Sequence, residues 1–182
     1  MPRFRRRHQI VGILGDDPLQ QFTAFGVAGN DHATFAIERH YAAPPAKVFA
    51  AFSDPVKKRR WFAEGEGFEL DSYELDFRVG GTERSAFRFG AGTPLPQGTT
   101  GANHTAYMDI IYGKRIVLAY TMTIGGKRIS SSQATFEFVA KDKGTTLVFT
   151  EQAAFFEGGD GPEIRKQGWT ELLGSLAREL GH

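Results

Sequence analysis

Few residues in this chain have both the type and the spacing of a catalytic group. His104 begins a predicted strand beside a long loop, and a histidine at a pocket mouth can act as a general acid or base because its pKa lies near neutrality. The alternative is an ordinary exposed histidine, which is the commoner case. Glu38 and His40 lie on one face of a predicted strand and could bind a metal, but no third ligand follows at a suitable spacing. We therefore predict no catalytic residue, no metal and no cofactor.

Other signals of chemistry are also missing from the sequence. It contains no nucleophile elbow, phosphate-binding loop or dinucleotide-binding fingerprint. Cysteine is absent, which excludes disulfides, thiolate catalysis and cysteine–zinc sites and fits a cytoplasmic protein. The net charge of +1 offers no strong field for nucleic acid, and no apolar run approaches the ~20 residues that span a bilayer. Neither nucleic acid nor a membrane is expected as a partner; homodimer formation and enzymatic activity stay open.

The element that would position any site most directly is a C-terminal helix of about 28 Å that ends near Gly181. Asp160 and Glu163 have the spacing of a capping box at its start. Its apolar positions are Ile164, Trp169, Leu172, Leu173, Leu176, Ala177 and Leu180, which from Trp169 onward form one stripe. A one-sided helix of this length needs a broad apolar surface, so we expect any ligand to lie beneath it.

The residues before this helix read as a sheet. Hydrophobic periodicity and turn residues predict a strand at 33–41, short helices at 45–52 and 56–62, and strands at 73–79, 82–89, 104–112, 115–123, 128–140 and 145–152, with a long loop at 90–103. Sequential hairpins favour antiparallel neighbours. The sequence therefore predicts an α+β fold in which a curved antiparallel sheet of about seven strands surrounds one long C-terminal helix, with two short helices after the first strand.

Two basic segments have a functional and a structural interpretation. The cluster Arg3, Arg5, Arg6 and Arg7 could be a nucleic-acid-binding arm or part of a transit peptide, but a loosely packed extension over residues 1–30 is favoured. The run Lys57, Lys58, Arg59 and Arg60 could bind phosphate, but a solvated helix face is favoured. At 182 residues the chain suits one domain, which we place at 31–182.

Five segments, in order over about 150 positions, resemble a known family. They are 43–49 (APPAKVF), 53–62 (SDPVKKRRWF), 76–81 (DFRVGG), 144–147 (GTTL) and 168–176 (GWTELLGSL). Together they resemble the START-like or SRPBCC helix-grip superfamily, and most closely the family named after the activator of the 90-kDa heat-shock-protein ATPase. Phe49 and Phe62 stand where that family usually has tryptophan. Residues 1–30 lie outside the resemblance.

The resemblance implies a cavity between the long helix and the sheet. Such pockets are mostly apolar with a few orienting polar groups. The aromatic residues, 13% of the chain with 16 Phe, could line it or could instead fill a solid core. The candidate ligand-binding residues are Trp61, Phe62, Phe77, Arg88, His104, Tyr107, Tyr120, Phe136, Phe138, Glu151 and Trp169.

Three functions are compatible with this interpretation. The first is binding of a small hydrophobic or aromatic molecule beneath the helix, and this is our prediction. The second is a cyclase- or hydrolase-like activity, which needs two or three polar groups converging in the cavity. The third is a co-chaperone-like interaction with a heat-shock ATPase, which the family name suggests. Fold alone does not choose among them.

Overall fold

The computed structural model describes residues 31–65 and 67–181. The extension predicted over residues 1–30 lies outside the described residues and stays a prediction. The strands are β1 (Asp31–Tyr41), β2 (Phe68–Leu75), β3 (Thr82–Phe89), β4 (Thr100–Ile111), β5 (Arg115–Ile124), β6 (Lys127–Lys141) and β7 (Gly144–Phe155). The helices are α1 (Pro45–Ser53), α2 (Pro55–Lys58) and α3 (Gly161–Leu180), and a π-helical turn (Arg59–Ala63) follows α2 directly.

The seven strands form one antiparallel sheet in the order β1-β7-β6-β5-β4-β3-β2. Strands β2 to β7 pair as successive hairpin neighbours, and β1 joins the sheet beside β7, from Asp31 opposite Phe155 to Tyr41 opposite Thr145. The two short helices follow β1, and α3 packs against β1, β7, α1 and the π-turn. The predicted α+β helix-grip architecture is confirmed.

The boundaries of two predicted segments differ most from the structure. The strand predicted at 73–79 is β2, which begins at Phe68 and ends at Leu75, because residues 76–81 form turns closed by a hydrogen bond from Gly81 N to Arg78 O. Gly80 has a positive φ of 76° there, a backbone conformation that favours glycine. The last four residues of the loop predicted at 90–103 belong to β4, which pairs Thr100 with Arg88 of β3.

Half of the face covered by the helices is apolar. Phe136 of β6 and Phe149 of β7 are fully buried, and Trp169 of α3 packs on both, with ring centroids 5.6 and 4.4 Å away. Phe52 of α1 lies 5.0 Å from the Phe136 ring, and Leu173 and Leu176 of α3 are fully buried in the same cluster. This close aromatic packing anchors the C-terminal half of α3 to the sheet.

The start of α3 differs from the sequence prediction. Ile164 is 65% exposed and Arg165 is buried, so the inward stripe begins with an arginine and continues through Trp169, Leu173 and Leu176. The Asp160 side chain makes no capping hydrogen bond and instead accepts two from Arg165. The helix ends at Gly181, as predicted, and that glycine adopts the left-handed conformation. No helix of the described residues is long and apolar enough to cross a membrane.

Candidate functional site

A row of polar side chains crosses the face of the sheet that α3 covers. Glu83 of β3 pairs with Thr105 of β4, Thr105 with Tyr120 of β5, and Tyr120 with Ser132 of β6. Residues directly opposite each other in a sheet share a face, and all four are buried. The same face of the sheet therefore has an apolar part and a polar part, and the row from Glu83 to Ser132 is here called the buried polar half. One cluster of charged residues forms at each end of this row.

The first cluster, here called the arginine cluster, joins the start of α3 to three strands. Its members are Arg165, Asp160, Tyr120, Glu151, Ser130 and Ser132. Arg165 lies at its centre and donates to Asp160 at 2.8 Å, to Ser130 at 2.7 Å, to Tyr120 at 3.0 Å and to Glu151 Oε1 at 3.2 Å. Tyr120 donates to the same Glu151 oxygen at 2.7 Å and accepts from Trp169 Nε1 at 3.2 Å.

Within the arginine cluster, one carboxylate oxygen of Glu151 is left as a free hydrogen-bond acceptor among the described residues. Burial raises the pKa of Tyr120, so its phenol stays protonated and donates to Glu151. Burial opposes the charge of Arg165, but Tyr120, Asp160 and Glu151 together hold its pKa above the ordinary value. Glu151 is fully buried, and its Oε2 has no hydrogen-bond partner among the described residues. The carboxylates of Asp160 and Glu151 share the one guanidinium of Arg165. Glu151 Oε2 can therefore accept a further hydrogen bond from an outside donor.

The second cluster, here called the glutamate cluster, joins α2 to strands β2, β3 and β4. Glu83 accepts from Tyr73 at Oε1, at 2.8 Å, and from Tyr107 at Oε2, at 2.7 Å. The Nζ atom of Lys58 lies 3.9 Å from Glu83 Oε1, and both side chains are almost fully buried. Burial, reinforced by the Glu83 charge, raises the pKa of both tyrosines. The pair of phenols therefore stays neutral and solvates the carboxylate.

An aromatic pair stands between the two clusters. The Phe62 ring lies 6.1 Å from the Trp169 ring, while Trp169 also reaches Tyr120 of the arginine cluster. On its other side, the Phe62 ring lies 3.9 Å from Lys58 Nζ in the glutamate cluster. Ser85, two residues along β3 from Glu83, is buried, and its hydroxyl has no hydrogen-bond partner in residues 31–65 and 67–181. Within this described part of the chain, Ser85 Oγ and Glu151 Oε2 are therefore both unpaired.

Most of the predicted site residues lie on this inner face. Tyr107, Tyr120, Glu151 and Trp169 belong to or touch the two clusters; Trp61 and Phe62 pack against Lys58; Phe77, Phe136 and Phe138 pack with the apolar core. Tyr107 faces inward although Asp109 is exposed enough to pair with Arg115, because a β-bulge between them shifts the register.

Arg88 and His104 lie outside both clusters. Arg88 is exposed and pairs with Asp71 on the neighbouring strand. His104 is exposed too, since it follows Asn103 and precedes Thr105 on β4, and Thr105 is the residue that faces inward. Neither residue can act together with Glu151.

Sequence reasoning missed five charged or phenolic residues of the clusters. They are Lys58, Tyr73, Glu83, Asp160 and Arg165. The prediction that the whole run 57–60 is a solvated face is wrong for Lys58, which is 2% exposed. Strand alternation could have found Glu83, because residues 83 and 85 lie on the same face of β3 as Phe87 and Phe89.

Comparison with known proteins identifies relatives of the chain. The family model described as activator of Hsp90 ATPase homolog 1-like protein matches residues 42–181. No curated protein matches the chain.

Solved structures match over most of the described residues. A protein of Rhizobium leguminosarum is 43% identical with a TM-score of 0.75, and the match covers 83% of this chain and 95% of that one. A protein of Rhizobium loti is 39% identical with a TM-score of 0.74, covering 84% and 99%. A protein of Chromobacterium violaceum is 27% identical with a TM-score of 0.66, covering 82% and 97%. Each is similar over nearly its whole length.

Proposed function

The chain belongs to the family of activator of Hsp90 ATPase homolog 1-like proteins, and from that premise we propose that it binds a small hydrophobic or aromatic molecule between α3 and the sheet. The ligand would lie against the aromatic pair Phe62–Trp169 and present a hydrogen-bond donor to the arginine cluster. Binding sites for small molecules are commonly built in this way, with apolar walls and a few placed polar groups.

The observation that carries the proposal is the unpaired oxygen of Glu151. A buried carboxylate oxygen without a hydrogen bond is costly, and native proteins usually satisfy such atoms with a partner, a water molecule or a ligand. Arg165 and Tyr120 both bind the other oxygen, Oε1, and so fix the orientation of the carboxylate. A hydroxyl or N–H group on the ligand would complete the set of hydrogen bonds.

The aromatic surroundings determine what else the ligand should be. Trp169 packs against Phe149 and Phe136 on one side and faces Phe62 on the other. Flat apolar molecules gain both burial and ring contacts at such a surface. We therefore expect an aromatic or polycyclic ligand with one donor group rather than a sugar or a nucleotide.

The test uses N-phenyl-1-naphthylamine, an apolar aromatic probe with one N–H donor whose fluorescence rises in apolar sites. We expect saturable binding to the full chain. Glu151→Gln keeps the side-chain shape, but its carbonyl oxygen takes the place of Oε1 beside Arg165 and its NH₂ replaces the free acceptor. Affinity should then fall about 10- to 100-fold, the usual value of a hydrogen bond to a charged group.

The control is Glu137→Gln, which removes an exposed carboxylate from β6 and should leave affinity unchanged. Saturable binding that is equal in the wild-type chain and in Glu151→Gln would show that Glu151 is not part of the site. No binding of this probe or of related aromatic amines and phenols would overturn the proposal. The interaction role implied by the family description would then be tested by assaying ATP hydrolysis by Hsp90 with and without the chain.

A further inference from the structure

Lys58 is held in surroundings that are unusual for a lysine. Its side chain is 2% exposed, and its Nζ atom lies over three aromatic rings, 3.9 Å from the centroid of Phe62, 4.3 Å from Trp61 and 5.2 Å from Phe52. The Nζ atom makes no hydrogen bond to a residue in the described part of the chain, and Glu83 Oε1 is 3.9 Å away. Cation–π contacts replace only part of the hydration that an ammonium loses on burial.

The nearby carboxylate cannot fully compensate this charge. Both oxygens of Glu83 already accept short hydrogen bonds, one from Tyr73 and one from Tyr107. Glu83 is the carboxylate that the sheet places beside Lys58, and the two tyrosines join the cluster through Glu83. Asp54, which precedes α2, caps that helix and pairs with Lys57. Burial lowers the pKa of Lys58 to about 8, against the opposing effect of Glu83. A sizeable fraction of the amine is therefore neutral, and hence nucleophilic, near physiological pH.

We propose that Lys58 is a reactive amine that forms an imine with an aldehyde or ketone. The Nζ lone pair attacks the carbonyl carbon to give a carbinolamine. Loss of water then forms the C=N bond, with the carbonyl oxygen leaving together with the two protons that nitrogen gives up. The imine can take up one proton from solvent, and Glu83 is placed to stabilise the resulting cation. Lysines desolvated in apolar pockets are used for this chemistry in enzymes.

Phe62 controls access to the amine. Its ring is half-buried, covers Nζ at 3.9 Å and faces Trp169 on the other side. It belongs to the π-turn Arg59–Ala63, closed by a hydrogen bond from Glu64 N to Arg59 O at 3.0 Å. Single π-turns are frequent at functional sites. A rotation of the Phe62 side chain would open Nζ toward the region between the two clusters. The inference does not depend on the proposed ligand, because it concerns the amine itself.

The experiment traps the imine on the full chain with benzaldehyde and sodium cyanoborohydride, followed by peptide mapping by mass spectrometry. At pH 7 we expect Lys58 to be labelled at least about tenfold more than Lys57, because burial lowers the pKa of Lys58 and so raises the neutral fraction of its amine. The ratio should fall as the pH approaches 10. The N-terminal amine also reacts near pH 8 and is assigned separately by its own peptide.

Three variants make the result decisive. Lys58→Met should remove the favoured label, whereas Lys57→Met, at the partly exposed neighbouring lysine, should leave it unchanged. Phe62→Ala should raise Lys58 labelling several-fold by uncovering Nζ. Equal labelling of Lys57 and Lys58 at pH 7, or no labelling of Lys58 even in Phe62→Ala, would overturn the proposal and leave Lys58 as a structural cation. If Lys58→Met does not fold, mapping of the wild type and Phe62→Ala still decides.

Discussion

Arg165 is the residue on which the buried polar half depends most. It connects Asp160 at the start of α3 with Glu151 of β7 and Ser130 of β6. Replacing it by methionine would leave the buried Glu151 and the partly buried Asp160 without the cation that they share. Breaking a buried ion pair from one side usually costs several kcal/mol, because the remaining charge keeps its desolvation penalty.

We therefore expect Arg165→Met to lower the free energy of unfolding by about 3–5 kcal/mol, measured by urea denaturation. The double variant Arg165→Met/Glu151→Gln should be less destabilised than the sum of the two single variants, since the second change removes one unpaired charge. Arg88→Met, at an exposed ion pair, serves as the control and should leave the unfolding midpoint unchanged. Additive losses in the double variant would mean that Arg165 and Glu151 do not interact.

Lys58 should give the stability of the protein a distinctive pH dependence. Its pKa is about 8 in the folded chain and ordinarily about 10.5, so above pH 8 the unfolded state binds more protons than the folded state. Stability should therefore increase with pH through this window, by about 1 kcal/mol between pH 7 and 9. Above pH 9 the tyrosines oppose the gain, because burial raises the pKa of Tyr107 and ionisation then favours unfolding.

Urea denaturation at pH 7, 8 and 9 checks this expectation. In Lys58→Met the increase should disappear, while Lys57→Met should keep it, because the Lys57 side chain is 42% exposed and Lys58 is left unchanged. A wild-type chain whose stability is flat or falls over this range would contradict the buried, desolvated amine.

At this scale the candidate residues named from the sequence include Glu151, Tyr120 and Trp169, but not Arg165, which donates to both Tyr120 and Glu151. Helical periodicity assigns apolar residues to the inward stripe, so it placed Ile164 rather than Arg165 toward the sheet. An arginine is buried only when its charge is matched, and the match with Glu151 comes from a strand 14 residues earlier. Lys58 was missed for a similar reason, because it stands in a run of four cations whose other three members are not buried.

At the scale of elements, glycines mark where two elements approach closely. A Cβ on Gly144, the first residue of β7, would press against the backbone carbonyl of Tyr41 and lie 2.9 Å from the His40 ring. Gly168, inside α3, has open space around its Cα. The first glycine is required by the β1–β7 contact, while the second is not required by packing.

We expect Gly144→Ala to lower the thermal midpoint, at a cost of about 1–3 kcal/mol, because a backbone atom cannot move aside as a side chain can. Gly168→Ala should raise stability by about 0.5–1 kcal/mol, since alanine is the better helix former. Differential scanning calorimetry of the two variants beside the wild type provides the comparison. A stable Gly144→Ala chain would show that β1 and β7 are less closely packed than described.

The type and order of the helices and strands were predicted better than the residues at which they begin and end. Strand β3 was predicted with the observed bounds, and the hairpins after Gly113 and Gly125 were correct, because turn glycines and strand alternation agree there. The segment 76–81 misled the prediction, since Phe77 and Val79 continue the alternation of β2 while the backbone already turns. The alternation of apolar and polar residues shows which side of the chain is buried. It can continue into a turn that still packs on the sheet, so it does not mark the end of a strand.

At the scale of the whole molecule, the sheet order explains why two polar clusters can share one interior. The arginine cluster draws on β5, β6, β7 and the start of α3, and the glutamate cluster on β2, β3, β4 and α2. The two sets of strands are adjacent in the sheet, and Phe62 and Trp169 meet above them. The order of elements was predictable from the sequence, but the convergence of the clusters depends on long-range register, which a single sequence does not contain.

The position of β1 also bears on how the protein is made. Tyr41 pairs with Thr145 and Asp31 with Phe155, so the first strand is synthesised more than 100 residues before its partner. At typical elongation rates of ~5–20 residues per second, β1 spends several seconds on the ribosome without the strand it needs. The apolar side of the sheet stays uncovered even longer, because α3 is translated last. Contacts so distant in sequence slow folding, and the nascent chain exposes its aromatic interior throughout this interval.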